Sequence, residues 1–205
     1  MAVRSETRDR ILRVGAEIVH RRGFNNTGIQ EILRGAEVPK GSFYFYFRSK
    51  SDFGLQLIDF YQARLTRLLE KHLAREDLPP LERLLCYFRE LRGGFESDAC
   101  KGGCPVGNMA QEMGDLDEAF RQRLEQAFQA LREGILRALE EAAGRGDLDL
   151  ERDTSGLADF ILSTWQGAIL QMKVDKSTAP LQRFETIVFG ELLPAERGRA
   201  LEGNE

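Results

Sequence analysis

Histidine, cysteine and tryptophan are scarce in this chain: two, three and one respectively in 205 residues. The histidines, His20 and His72, are distant in sequence from each other and from Cys100 and Cys104, and that Cys-x3-Cys spacing has no second cysteine pair. A structural zinc site wants two close pairs of thiolate or imidazole ligands, so zinc is disfavoured, and no metal or cofactor is expected. A thiol enzyme wants a base beside its nucleophile, and the sequence offers neither a local histidine nor a cofactor loop. Long apolar runs are missing as well: the most apolar window, near residues 157–172, is interrupted by Asp159, Ser163, Thr164 and Gln166. The opening Met-Ala-Val-Arg-Ser-Glu has no apolar signal core. These absences point to a cytoplasmic protein with no membrane partner. Internal repeats and low-complexity segments are absent too.

What is present describes an ordinary globular chain, 42% hydrophobic and 30% charged. Its charge is unevenly placed. Residues 1–50 hold ten Lys or Arg against five Asp or Glu, a balance of +5, which leaves −9 on the remaining 155 residues to reach the overall −4. A basic end attracts phosphates regardless of sequence, and an acidic remainder orients the approach.

The basic end contains the most informative stretch, residues 25–50. Thr27 is placed to cap a helix, with Gln30 three residues on completing a capping box. Ile29, Ile32, Leu33 and Ala36 share a helical face, and Pro39 breaks the run while suiting the first position of a second helix over about Lys40 to Tyr46. Two short helices joined by a tight turn form a helix-turn-helix. In the second helix Phe43 and Phe47 are four apart and point inward, which turns Ser42, Tyr44, Phe45 and Tyr46 outward. Lys40 supplies charge, Gly41 permits close backbone approach, Ser42 and the tyrosines can bond phosphate oxygens, and Phe45 can lie on a thymine methyl. Ser49-Lys50-Ser51-Asp52 opens a further helix whose N–H groups, with Lys50, are expected at another phosphate.

Gly-Phe-x-x-Thr at 23–27, the following Ile-Leu, and Val-Pro-Lys-Gly-Ser-Phe-Tyr-Phe-Tyr-Phe-Arg-Ser-Lys at 38–50 resemble the N-terminal domain of the TetR/AcrR family of bacterial transcriptional repressors. The resemblance is strong over about residues 5–55, and beyond them rests on length and helical character. It implies an all-α homodimer with a three-helix DNA-binding head, residues 1–52, and a larger helical effector-binding and dimerisation body, residues 53–205. It also implies a double-stranded operator as partner, near-palindromic because a two-fold dimer presents two reading helices.

Around that stretch the chain reads as helix throughout. Residues 5–22 carry a stripe of Ile11, Val14, Gly15, Ile18 and Val19, ending at Gly23. A long helix from Asp52 to about Arg75 links head to body, and a stripe from Leu81 to Phe95 follows, loosened at Gly93-Gly94. Another helix begins near Leu116 and ends at Gly144-Arg145-Gly146. Asp153 or Thr154 caps the next, which bears Leu157, Phe160, Ile161, Trp165, Ile169 and Met172, and a final helix follows Pro180. The last two suit a dimer interface. Trp165 is open to a place in core, interface or effector pocket.

The second informative stretch is the glycine-rich loop Asp98-Ala-Cys-Lys-Gly-Gly-Cys-Pro-Val-Gly-Asn108. Lys101 adjoins Cys100, and Cys104 precedes a helix expected from Pro105, whose dipole favours a thiolate. One cysteine could resolve the other's sulfenic acid as a disulfide. With the following Asn-Met-Ala-Gln-Glu-Met-Gly-Asp-Leu-Asp-Glu, this stretch resembles the ligand domain of the TetR branch that controls N-ethylmaleimide reductase-type detoxification, and more loosely regulators answering acrylate-like acids. That resemblance implies an electrophile or oxidant as effector, Cys104 as the sensing cysteine and Lys173 as its amine neighbour; the additional Cys100 departs from it. An inert cysteine pair beside a pocket for a reversible small molecule stays open, as does, more distantly, a thiol oxidoreductase, which leaves residues 25–50 without a purpose.

Overall fold

The structure, a computed structural model, describes residues 2–149 and 151–194; the side chains of residues 2–5 and of Lys40 lie outside that description. The regular structure among the described residues is helical: α1 (Ala2–Arg22), α2 (Ile29–Gly35), a 3-10 turn (Lys40–Ser42) running into α3 (Phe43–Tyr46), α4 (Lys50–Leu73), α5 (Pro80–Ser97), α6 (Pro105–Met113), α7 (Glu118–Gly144), α8 (Thr154–Asp175) and α9 (Ala179–Glu185), continued by a π-helical segment (Thr186–Leu192). The expected all-α class with a helix-turn-helix at its N-terminal end is what the chain adopts. The expected division at residues 52 and 53 falls in the first turn of α4, so one continuous helix serves both parts.

Several helix starts follow from side-chain capping. Ser49 Oγ accepts the Asp52 N–H at 3.0 Å while Asp52 accepts the Arg48 N–H at 2.8 Å, so each supplies the other end with a partner. Asp117 receives the N–H groups of Ala119 and Phe120 at the start of α7, and Asp153 receives that of Gly156 at the start of α8. Thr27 does not cap: Gly28 stands at the cap of α2, and the Thr27 hydroxyl, 1% exposed, donates to the Gly23 carbonyl at 2.7 Å. The threonine therefore ties the turn after α1 to itself.

Two other expectations are corrected by packing. The buried face of α1 is Ile11, Leu12, Gly15, Ala16 and Val19, with the expected Val14 and Ile18 only half-buried; α2 and α4 both pack on this helix. Gly93-Gly94 does not interrupt α5, which runs through to Ser97. A mid-helix glycine costs about 1 kcal/mol, and Leu91 and Phe95, packed against the core on either side, hold the turn.

Phe43, Phe47 and Phe53 form an aromatic cluster with centroids 5.1–5.8 Å apart, which fixes α3 on α4. The head joins the body at Phe24. Its ring lies 5.4 Å from that of Phe120 on α7, and a Cβ at Gly54 on α4 would come within 2.6 Å of Phe120 and 2.7 Å of Phe24. Gly54→Val should therefore force the two rings apart and lower the unfolding free energy by about 1–3 kcal/mol, measured by urea denaturation; an unchanged midpoint would mean that the junction yields freely.

Candidate DNA-reading surface and effector site

The candidate reading surface is built by the aromatic cluster beneath it. With Phe43 and Phe47 fully buried, Tyr44 and Phe45 are driven outward, 64% and 56% exposed despite being large rings. Tyr46 is half-buried and packs edge-on to Phe45 at 5.0 Å, so its ring belongs partly to the core. Ser42 is half-exposed on the 3-10 turn, and a Cβ at the exposed Gly41 would meet nothing within 4 Å. The fold itself thus makes no demand for glycine at 41. Lys40 opens the turn, and its side chain lies outside the described residues. Arg10, Arg13, Arg21 and Arg48 are exposed on the same head.

Lys50 makes contacts of its own within the head. Its ammonium donates to the Asn25 carbonyl at 3.2 Å and lies 4.8 Å above the Phe24 ring. Partial burial lowers its pKa, and the nearby Glu112 carboxylate opposes that. These contacts stitch the start of α4 to the turn after α1, where Thr27 is also buried.

In the body, Cys104 is the N-cap of α6, with Pro105 at the first helical position. Its sulfur accepts the Gly107 N–H and the Gln166 side-chain N–H, each at 3.4 Å. Burial nevertheless dominates and pushes the thiol up, while those two donors pull the other way. The thiolate expected from the helix N-terminus is thus overturned: at 7% exposure, desolvation of the anion outweighs two long hydrogen bonds. Cys100 is also buried, its backbone in the left-handed region at φ 56°, and both thiols are free.

Cys104 sits on the wall between two cavities. The inner one, about 30 Å³, is lined almost wholly by apolar side chains, among them Tyr87, Phe88, Phe95 and Trp165, with the Gln166 amide as a polar group. The outer, smaller cleft is lined by Asn108, Gln111, Gln166 and Lys173. Trp165, placed in several alternatives by sequence, is a buried pocket wall packed at 4.8 Å on Phe88 and 5.0 Å on Phe184. Lys173 reaches the same cleft as Cys104 and donates to Asn108 Oδ1 at 3.2 Å. The sequence reading missed Gln166, Asn108, Glu112 and His20. Their partners lie 62 to 88 residues away and no spacing rule connects them. Among the described residues, no group of three or more His, Cys, Asp or Glu side chains is placed to hold a metal ion, and no helix is long and apolar enough to cross a membrane.

Comparison with known proteins accords with this geometry. Residues 11–56 match the bacterial regulatory proteins of the tetR family, and residues 80–188 match the tetracyclin repressor-like C-terminal domain. The chain is 38% identical over 180 residues to the transcriptional regulator AcuR of Cereibacter sphaeroides, covering 88% of this chain and 82% of AcuR. It is 33% identical over 192 residues to the transcriptional repressor DhaR of Mycobacterium sp. strain GP1 (94% and 95% covered) and 32% identical over 181 residues to the repressor NemR of Escherichia coli K12 (86% and 89%). Among solved structures, the regulatory protein TetR from Rhodobacter sphaeroides aligns with a TM-score of 0.84 at 37% identity, over 90% of this chain and 97% of that one. The reduced form of E. coli NemR aligns with a TM-score of 0.85 at 29% identity, over 93% and 97%. Reading head, body and relatives agree: the chain belongs to the TetR family of bacterial transcriptional regulators.

Proposed function

We propose that this protein is a cytoplasmic repressor that binds a near-palindromic operator as a homodimer and releases it when a reactive electrophile or oxidant engages Cys104. Residues 1–52 are its DNA-binding head, with Ser42, Tyr44 and Phe45 as the principal reading residues, and residues 53–205 are its effector and dimerisation body. The placement of Cys104 carries the sensing assignment: the sulfur is on the wall shared by an apolar chamber and a cleft that also holds Lys173. The repressors DhaR and NemR are relatives by sequence, and the NemR structure is that of a reduced form.

Dimerisation is supported by an apolar stripe on α8 that this chain leaves uncovered. Phe160, Gly167, Leu170 and Val174 are exposed along one face of that helix, and Ile187, just after α9, is exposed too. Facing a second copy, these residues make a self-complementary patch in which Gly167 lets the helices approach, and the two heads would reach half-sites about 34 Å apart or a multiple of that.

A reversible effector has an observation of its own in its favour. The thiol is buried and held protonated, so a molecule has to enter the chamber before it meets the sulfur, and the Trp165 and Phe95 rings there suit an apolar ligand body. Both modes end in the same outcome, release of DNA through different affinity for two conformations.

Three measurements test these assignments by gel shift and sedimentation, at fixed salt because the affinity is salt-dependent. Tyr44→Ala is expected to weaken binding to the DNA upstream of the protein's own gene by about tenfold, or 1.4 kcal/mol, with the melting temperature unchanged; equal affinity would remove Tyr44 from the reading surface. Cys104→Ser should bind that operator normally and keep it in N-ethylmaleimide, whereas wild type lets go. If the serine variant is released alike, Cys104 is not the sensor, and if neither is released, the reversible reading takes over. Phe160→Glu combined with Leu170→Glu should sediment at half the wild-type mass and lose operator binding; a persistent dimer would place the interface elsewhere.

A further inference from the structure

The loop before α6 lies between the effector cleft and the DNA-reading head, touching both. On one side, Gly103 packs against the cleft: a Cβ there would come within 2.9 Å of the Lys173 chain and 3.2 Å of Ile169. On the other, a Cβ at Gly102 would strike the His20 ring in the last turn of α1 at 2.5 Å. Both glycines have positive φ, 78° and 84°, a conformation a side chain would strain. The loop is thus two backbone units thick between Lys173 and His20.

Hydrogen bonds reach it from both sides, onto adjacent backbone carbonyls. Lys173 Nζ donates to Asn108 Oδ1 at 3.2 Å, Asn108 Nδ2 donates to the Gly102 carbonyl at 2.7 Å, and His20 Nε2 pairs with the Gly103 carbonyl at 2.7 Å. A carbonyl only accepts, so the His20 proton is on Nε2. A second tie leaves the other end of α6: the Glu112 carboxylate accepts the Phe24 N–H at 3.0 Å and the Asn25 N–H at 2.9 Å. Those two amides follow the end of α1, where the helix no longer supplies partners, and a carboxylate shared by two donors is a strong, directional anchor.

We propose that these contacts, Lys173–Asn108–Gly102/Gly103–His20, with Glu112 as a second anchor, couple the Cys104 cleft to the position of the reading head. The proposal rests on reading that cleft as the effector site. His20 and Glu112 act as positioning residues: α6 is about 13 Å long at 1.5 Å per residue, is gripped near both ends by the α1–α2 corner, and carries any shift of its N-cap to the start of the helix-turn-helix. Free-energy coupling is reciprocal, so operator binding must register in the loop just as the cleft registers in the head.

Hydrogen exchange read by mass spectrometry, with and without operator and with no effector present, decides this. In wild type, saturating operator should change exchange by threefold or more in peptides covering residues 98–113. In His20→Ala with Glu112→Gln, saturated with operator, that change should disappear, and His20→Gln, which keeps a side-chain N–H, should retain it. Unchanged wild-type exchange overturns the proposal even if the double variant fails to fold, as does a double variant that keeps the wild-type response. A second arm compares operator Kd before and after complete N-ethylmaleimide adduction of Cys104, verified by peptide mapping: the wild-type ratio should fall toward one in His20→Ala, and a ratio that stays at the wild-type value overturns the relay. A wild-type ratio of one would refute electrophile sensing alone, leaving the exchange result to judge the relay.

Discussion

Phe24 is where the two parts of the molecule become one. Its ring is clasped between Gly54 on α4 and Phe120 on α7, Lys50 lies above it, and its backbone N–H is taken by Glu112 on α6. Apolar contact supplies most of the attraction there, and the charge-assisted hydrogen bond supplies direction. Tyr61 adds a further tie by donating from α4 to the Ala16 carbonyl of α1 at 2.7 Å. Because α4 runs unbroken from the cap at Ser49 to Leu73, the angle of the head is set by how α4, α6 and α7 pack around this corner.

The effector region shows a contest between two electrostatic effects. A helix N-terminus favours an anion, and Cys104 receives two donors there. Burial disfavours the same anion, and in an apolar wall it prevails. The result is a thiol screened from bulk water yet adjoining a chamber, an arrangement that discriminates among reagents by whether they can enter.

Strain in the loop has a matching logic. Ala99, Cys100, Gly102 and Gly103 all have positive φ, which two non-glycine residues tolerate only where surrounding contacts hold them. The contacts come from both sides, His20 on the head and Lys173 on α8, so the loop's conformation depends on each.

Sequence alone determined the helical class, the helix-turn-helix and the inward turn of Phe43 and Phe47, since helical period, proline placement and capping residues act over four or fewer positions. It also singled out Cys104 by its place before a helix N-terminus and Trp165 as a lone ring, whereas Lys173 came through a resemblance to a known family. Tertiary structure decided the rest. Thr27 had the right chemistry for a helix cap, but a buried turn claims it; the Cys104 thiolate favoured by its local helix is suppressed by walls contributed from α5 and α8. His20, Asn108, Glu112 and Gln166 had no legible role because their partners lie far along the chain. Local rules specify which face a residue takes, whereas burial and long-range pairing depend on which distant segments the folded core brings against it.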